Sequence, residues 1–332
     1  MGKLTFDDAA KNLLADYSTN GKRSETVVKR RVTNHLAPFF EGRRMVDIST
    51  PLIRQYILKR QTTPTVLVRK AHSVTDDDGA VREIPEERRR ASNAEINREL
   101  AHLKRMFNLA MKDGTILSKP HIPMLEEDNT RTGFFEPDQL RSVLAHLPAE
   151  IRPVIEFAYQ TGWRIASEVL PLEWRQVDFD AGEVRLEPGT TKNKKGRTFP
   201  FTMELRRVLD AQKAENDRLK KADQICRFVF FREVAEGRGG EKKPQRIISF
   251  GKAWKAACRK AGCPGRLPHD LRRTAIRNFV RKGISENVAM KLSGHKTSSV
   301  FRRYDIVSGD ELREAAEKLD GAETTTKEER RA

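Results

Sequence analysis

Four separated stretches of this 332-residue chain hold the side chains best suited to chemistry. LSGHKTSSVFRRYDIV, residues 292–307, sets His295 nine residues before Tyr304 in a basic segment. Tyrosine is scarce, with four in the chain, and Tyr159 lies in the apolar run VIEFAY as a core residue would. A phenol among arginines therefore asks for a chemical reason. TGWRIASEVLPLEW places Arg164 after a glycine and Glu168 four residues on. Alone, that spacing is more often an exposed helix pair worth roughly 0.3 kcal/mol. TKNKKGR offers Lys192, Lys194, Lys195 and Arg197, by default nonspecific phosphate contacts. LPHDLRRTA puts His269 and Arg272 at i,i+3 on the first turn of a helix, whose N-terminus also favours an anion. The plainer reading of that stretch is Asp270 at a helix start beside a solvated arginine.

Together the four suit one reaction, transfer of a phosphodiester to a side-chain hydroxyl. The phosphorus passes through a pentacoordinate arrangement with added charge on its nonbridging oxygens, and two guanidiniums supply permanent, bidentate donors to them. Arg164 and Arg272 fit those roles. A protonated phenol, with a pKa of about 10, attacks poorly, so a histidine must take its proton or the arginine field must lower that pKa. His269 is the candidate base. The departing 5′-oxygen needs a proton, which a lysine crowded by other cations can give, and one hairpin lysine would serve. No Asp/Glu cluster of two-metal type accompanies these residues, so the expectation is that protein cations replace a metal and that no cofactor is needed.

The elements that must position these groups follow from pattern. Residues 5–20 and 24–41 carry helical apolar spacing, and a third helix starts after Ser49 or Thr50, ahead of Pro51. Residues 62–91 are polar and turn-rich, an exposed insertion with a hairpin tip near Asp78-Gly79. Ser92 caps a long helix whose Ile96, Leu100, Leu103, Phe107 and Ala110 keep a 3.6 period until Gly114. Pro120, Pro123 and EEDNTRTG mark a linker over 118–133. Beyond it, helices are predicted near 137–147, 151–161 and 165–173, then two strands, EVRLE and RTFPF, joined by a turn containing Gly196. A helix over 202–221, the apolar run RFVFF, and helices near 250–261, 269–282, 285–293 and 297–304 complete the second half. The expected fold is mainly α with a small antiparallel sheet, an α+β chain in two domains: 1–117 helical, with the insertion, and 134–307 carrying the chemistry. Residues 308–332 form a tail.

Bulk properties agree with a polyanionic partner. The formal charge is +17, and residues 131–304 hold 36 Lys and Arg against 20 Asp and Glu, whereas 305–332 hold 5 against 9. Clustered cations gain affinity by displacing counterions condensed on phosphates. No run approaches the ~18 apolar residues of a membrane span, and the N-terminus has no apolar h-region, so a membrane partner and secretion are not expected. Three cysteines, Cys226, Cys258 and Cys263, lack zinc spacing and fit a reduced, cytoplasmic setting. Trp163, Trp174 and Trp254 read as packing residues, and His35, His72, His102, His121 and His146 show no partner pattern.

The ordered set of an Arg box, a hairpin Lys, His-x-x-Arg, Gly-His and a Tyr nine residues later resembles the tyrosine recombinases, the phage integrase family. The resemblance is specific over 133–307 and weak in the N-terminal region. TGWR matches at Arg164, HDLRRT at His269 and Arg272, LSGH at His295 and RRY at Tyr304. In TKNKKGRTFPF the family's catalytic lysine stands five residues before the Arg of R-x-x-P, which selects Lys192. Most family members have the acidic residue three positions after the first Arg; here Glu168 comes at four, one residue late, and would orient Arg164 or support the hairpin.

The resemblance implies a helical core-binding (SAM-like) domain and a tyrosine-recombinase catalytic domain forming a C-shaped clamp on duplex DNA. It implies a site-specific recombinase in which Tyr304 forms a 3′-phosphotyrosine and a homotetramer on paired inverted core sites exchanges strands through a Holliday junction. Accessory factors would set direction. The tail helix 310–319, with Leu312, Ala315, Ala316 and Leu319 on one face, would dock on a neighbouring protomer or on its own domain. Two rivals remain from the sequence: a type IB topoisomerase that relaxes DNA as a monomer, and a DNA-binding architectural protein with a decayed site.

Overall fold

The computed structural model describes residues 3–75, 80–127, 133–189, 196–237, 239–301 and 316. Asp78 and Gly79, Lys192, Tyr304 and the tail segment 310–319 apart from Ala316 lie outside the described residues. The chain is mainly helical with small antiparallel sheets and divides into two compact units, 1–131 and 132–332.

The first unit opens with α1 (Phe6–Thr19), whose start is fixed by reciprocal bonds between Thr5 and Asp8. The segment expected as one helix over 24–41 is unevenly wound: α2 (Glu25–Arg31), a π turn (Val32–Leu36) and α3 (Ala37–Phe40). Pro38 has no N–H to give to the carbonyl one turn back, and the winding loosens ahead of it. In α4 (Thr50–Thr62) the cap is Ser49, which accepts the Leu52 N–H. The 62–91 insertion is a long antiparallel ribbon. In it β1 (Val66–Arg69) pairs with β4 (Glu87–Arg89), and β2 (His72–Thr75) pairs with β3 (Val81–Ile84) in register Thr75↔Val81.

The ribbon's root is held by a buried ion pair. Arg60, 3 % exposed, bonds both oxygens of Glu99 at 2.9 and 2.7 Å, bonds the Thr65 hydroxyl, and its carbonyl accepts the Ala91 N–H. Tyr56 donates its hydroxyl to the same carboxylate at 2.7 Å. Glu99 belongs to α5 (Asn93–Lys112), capped by a Ser92–Glu95 box, and the residues picked out by the 3.6 period are its buried face. Part of the segment read as linker packs on this unit. Ile122 is buried in its core, and the Asn97 side chain both donates to the Leu125 carbonyl and accepts its N–H, each at 2.8 Å. An extended, proline-containing stretch can bury apolar residues without secondary structure when a side-chain amide satisfies its backbone.

The second unit begins with α6 (Pro137–Ala145) and α7 (Arg152–Thr161). The helix expected over 165–173 is instead a single π turn, Ile165–Val169, and Pro171 prevents its extension. A three-stranded antiparallel sheet follows, with β6 (Glu183–Leu186) between β5 (Val177–Asp178) and β7 (Arg197–Pro200). Next come α8 (Met203–Lys221) and a second hairpin, β8 (Phe231–Ala235) with β9 (Lys242–Arg246). KKPQR in β9 is hydrophilic and contains a proline, a composition that strands tolerate at a sheet edge and that sequence pattern cannot separate from loop. The chain closes with α9 (Gly251–Lys260), α10 (Pro268–Arg281), α11 (Glu286–Ser293) and α12 (Ser298–Phe301).

The core of this unit is aromatic, with Phe157 edge-on to both Trp163 and Phe230, and Trp254 against Phe135. Its middle helix is α10, whose buried residues run from Asp270 to Arg277 without a break. Burying guanidiniums is costly unless each finds partners. Arg277 pairs with Glu136 at 2.7 Å and lies 4.6 Å from the Phe134 ring. Arg272 finds its partners in two backbone carbonyls, those of Gly162 and Ser293.

Candidate active site

Arg164 follows two residues that are set by packing. Gly162 ends α7 with φ +64°, and a β-carbon there would press on Ala275 of α10. Trp163 is buried and donates its indole N–H to the Leu292 carbonyl at 3.0 Å. Both ties bring the end of α7 against α10 and the last turn of α11. Arg164 then enters the π turn, where Glu168 N–H bonds the Arg164 carbonyl four residues back and Leu170 N–H reaches Ile165 five back. The widened turn accommodates the extra residue between Arg164 and Glu168 and still points the carboxylate home. Glu168 is 1 % exposed, accepts the Arg164 N–H at 2.7 Å with Oε2 and the Arg164 guanidinium at 2.7 Å with Oε1. It is therefore a buried orienting group. Burial pushes its carboxyl upward, but Arg197 and Arg164 outweigh that and hold it below the usual range.

Arg272 is 2 % exposed, which excludes the plainer reading of a solvated arginine. One terminal nitrogen donates to two carbonyls, Gly162 at 2.6 Å and Ser293 at 2.7 Å, and so clips the C-termini of α7 and α11 to α10. The other lies 2.9 Å from His295 Nε2 and 3.1 Å from Nδ1. Ser293 Oγ gives its proton to the Ala289 carbonyl at 2.7 Å and so accepts from His295 Nδ1, also at 2.7 Å. That network assigns the proton to Nδ1, while the Arg272 nitrogen, nearly equidistant from both ring nitrogens, lies against the ring. Burial, then the charges of Arg272, Arg164 and Arg197, push the imidazole down to about 3, so His295 is neutral at physiological pH.

His269 is exposed on the first turn of α10, one turn from Arg272. Asp270 beside it is buried and caps the helix by accepting the Leu267 N–H at 2.8 Å. Arg164, His269 and Arg272 line one cleft of about 420 Å³ with Trp163, Ile248 and Phe250. A second opening, of about 800 Å³, is lined by Arg197, Lys291, His295 and Lys296. The structure thus brings Arg164, Glu168, His269, Arg272 and His295 together from stretches more than a hundred residues apart. Lys192 and Tyr304 fall outside the described residues, although β6 and β7, which flank Lys192, reach the site at Arg197. Chemically the cleft offers two guanidiniums, one partly exposed and one clamped, and an accessible imidazole. That is a receptor for a tetrahedral or trigonal-bipyramidal anion.

A model of the Phage integrase family matches residues 133–309, over half of the chain. The chain belongs to the phage integrase family. The integrase of Salmonella phage P22 is 26 % identical over 226 residues, 67 % of this chain and 56 % of that one. Tyrosine recombinase XerC of Bifidobacterium longum is 25 % identical over 162 residues, 48 % of this chain and 44 % of its own. The chain thus spans about half the length of these curated relatives. Among solved structures, the Tn1549 transposon integrase in complex with a circular intermediate DNA superposes with TM-score 0.65 at 15 % identity, covering 95 % of this chain and 100 % of that one. A lambda integrase dimer bound to a COC′ core site gives 0.66 at 16 % identity, covering 92 % and 97 %. These two share the fold.

Two residues of the site escaped the sequence reading. Ser293 sets the tautomer of His295, and a serine at a helix end carries no distinguishing signal. Arg197, read as a surface phosphate contact, has a side chain only 7 % exposed and bonds Glu168. Strand alternation contained the clue, because Arg197 shares a face of β7 with the buried Phe199.

Proposed function

We propose that the chain is a site-specific DNA recombinase of integrase type, breaking and rejoining strands of duplex DNA through a 3′-phosphotyrosyl bond at Tyr304. The observation that carries this reading is the cleft itself, where Arg164, His269 and Arg272 converge and Arg272 also holds a neutral His295. Family membership and the cationic excess of residues 131–304 support it.

In this mechanism the scissile phosphate enters between Arg164 and Arg272, whose N–H donors take its nonbridging oxygens. The Tyr304 oxygen attacks phosphorus as its proton passes to His269, and the bond from phosphorus to the 5′-oxygen breaks. Lys192 protonates that leaving oxygen. The pair of electrons leaves with the 5′-hydroxyl, the 3′-phosphate stays on tyrosine, and no net bond energy is lost, so the reverse attack by a 5′-hydroxyl of another duplex rejoins the strands. Arg272 turns one donor from the His295 ring to the phosphate, and the Nε2 lone pair of His295 is left to accept a hydrogen bond from the Tyr304 hydroxyl. Four protomers on two duplexes with inverted core sites complete the exchange, with the tail helix 310–319 docked on a neighbour and accessory factors setting direction.

A nicked or suicide duplex carrying the cognate core site tests the proposal. Wild type becomes covalently attached and joins strands between two duplexes, whereas Tyr304→Phe binds the same DNA with the same salt dependence and forms no adduct. An adduct of equal yield in Tyr304→Phe removes that residue from the mechanism. Adduct formation with relaxation of supercoils but no joining of two duplexes favours the topoisomerase reading.

A further inference from the structure

Arg197 has no place in the mechanism above, yet it is the most enclosed cation around the cleft after Arg272 among those named there. Its guanidinium bonds Glu168 Oε2, while Arg164 holds Oε1. Its central carbon lies 5.0 Å from the Trp163 ring centroid. Its tip also occupies the space that a β-carbon on residue 294 would need. Gly294, with φ +72°, ends α11 in the left-handed region, so glycine here both turns the chain into His295 and makes room for the guanidinium. Leu186 of β6 pairs with Arg197, so this residue is also where the hairpin meets the catalytic elements.

A DNA phosphate could recruit Arg197 only by stripping a buried carboxylate of its more enclosed partner and leaving an indole face bare. Arg164 is different: its side chain is 26 % exposed against 7 % for Arg197. One carboxylate thus joins an arginine partly open to solvent to one enclosed between that carboxylate and an indole.

We propose that Arg197 is a positioning residue: it anchors Glu168, and through it Arg164, while its packed face over Gly294 fixes the backbone that presents His295. This rests on the reading of Arg164 and His295 as phosphate-handling groups. The inward guanidinium thereby ties the β6–β7 hairpin, the π turn and the α11 terminus into one frame. It acts without touching DNA.

Three readouts on the full-length chain decide the matter, using Arg197→Met, Arg197→Lys and Gly294→Ala. The last variant keeps every charge but pushes the guanidinium aside and strains the left-handed turn, so it is read beside Arg197→Lys, which leaves that turn unstrained. First, the slope of log affinity for duplex DNA against log salt stays at the wild-type value in Arg197→Met, whereas loss of a phosphate contact would lower it by about 0.9. Second, adduct formation on the suicide duplex slows by on the order of a hundredfold in Arg197→Met, as expected when reacting groups are misplaced by about an ångström, with Gly294→Ala slow as well and Arg197→Lys partly restored. Third, the NMR titration midpoint of His295 rises in folded Arg197→Met. Among the described residues, Arg272 and His269 on α10 and Arg164 before the π turn still act on the imidazole once the Arg197 charge is gone. Mere loss of stability would not produce that rise. A slope lowered by about 0.9, or an adduct rate in Arg197→Met within about twofold of wild type, overturns the proposal. Should Arg197→Met not fold, Gly294→Ala and Arg197→Lys decide it on the rate and the midpoint. If wild type itself forms no adduct, the recombinase reading fails, while the His295 midpoint still reports whether Arg197 sits over that turn.

Discussion

Replacing Glu168 by Gln keeps the shape of the side chain and removes its charge, which isolates the ion-pair contribution of the two-arginine bridge. Glu168 is 1 % exposed and the Arg197 side chain 7 %, so the remaining guanidinium cannot turn to water without unpacking from Trp163. Removing one member of a buried pair leaves an uncompensated charge and destabilises by about 3–5 kcal/mol. Arg164 offsets little of this, since its partly exposed side chain already has solvent available. In a unit of roughly 200 residues 1 kcal/mol shifts Tm by about 2–4 °C, so Glu168→Gln should lower the second unit's transition by roughly 6–20 °C. Urea unfolding of Glu168→Gln, Arg197→Met and the double variant measures the coupling. The double variant should be more stable than the sum of the singles predicts by about 2 kcal/mol, because the second change removes the orphaned charge. A loss in Glu168→Gln under about 1 kcal/mol, or additivity within about 0.5 kcal/mol, would refute the claim that this carboxylate holds the site together.

Tyr56→Phe should destabilise the first unit by about 1.5–3 kcal/mol, since a hydrogen bond to the buried Glu99 carboxylate is lost, and thermal melting with a ribbon-specific proteolysis assay reads it. The folded His295 is pushed to about 3 from an ordinary value near 6.5, so the unfolded chain binds the proton first and stability falls as pH drops below 6.5. His295→Gln should lose that slope, worth about 2 kcal/mol between pH 6.5 and 5. His35 and His102, also lowered by burial, are common to both proteins and cancel in the difference, so parallel unfolding-midpoint profiles would disprove it. Lys192→Ala should slow cleavage of an ordinary duplex far more than that of a 5′-bridging phosphorothiolate, whose thiolate leaves unprotonated; equal slowing on both substrates counts against a general acid.

The sequence was most informative where side-chain chemistry and local backbone agree. Ser92 with Glu95, Ser49 before Pro51, and the 3.6 period of Ile96 to Ala110 specify helices through interactions within a few residues. The types at Arg164, His269, Arg272 and His295 likewise restricted the chemistry to an anion before any coordinates, because few reactions use two guanidiniums and imidazoles at once. Long-range facts were not legible. Nothing local says that the hydrophilic KKPQR is a strand, since its partner supplies the backbone bonds. The π turn at Ile165–Val169 was not legible either, because an ordinary helix would also bring Glu168 onto Arg164 at that spacing.

By itself, then, the sequence determined which groups are present, their charge, and the short-range elements that carry them. Tertiary structure alone decided which arginine is spent on structure and which stays available, burying Arg197 against Glu168 and Trp163 while Arg164 keeps contact with solvent. It also decided the state of His295, made neutral by burial and by cations drawn from three distant segments. The physical reason is that desolvation and Coulomb energy depend on separation in space, and residues over a hundred positions apart acquire that separation only when the core closes.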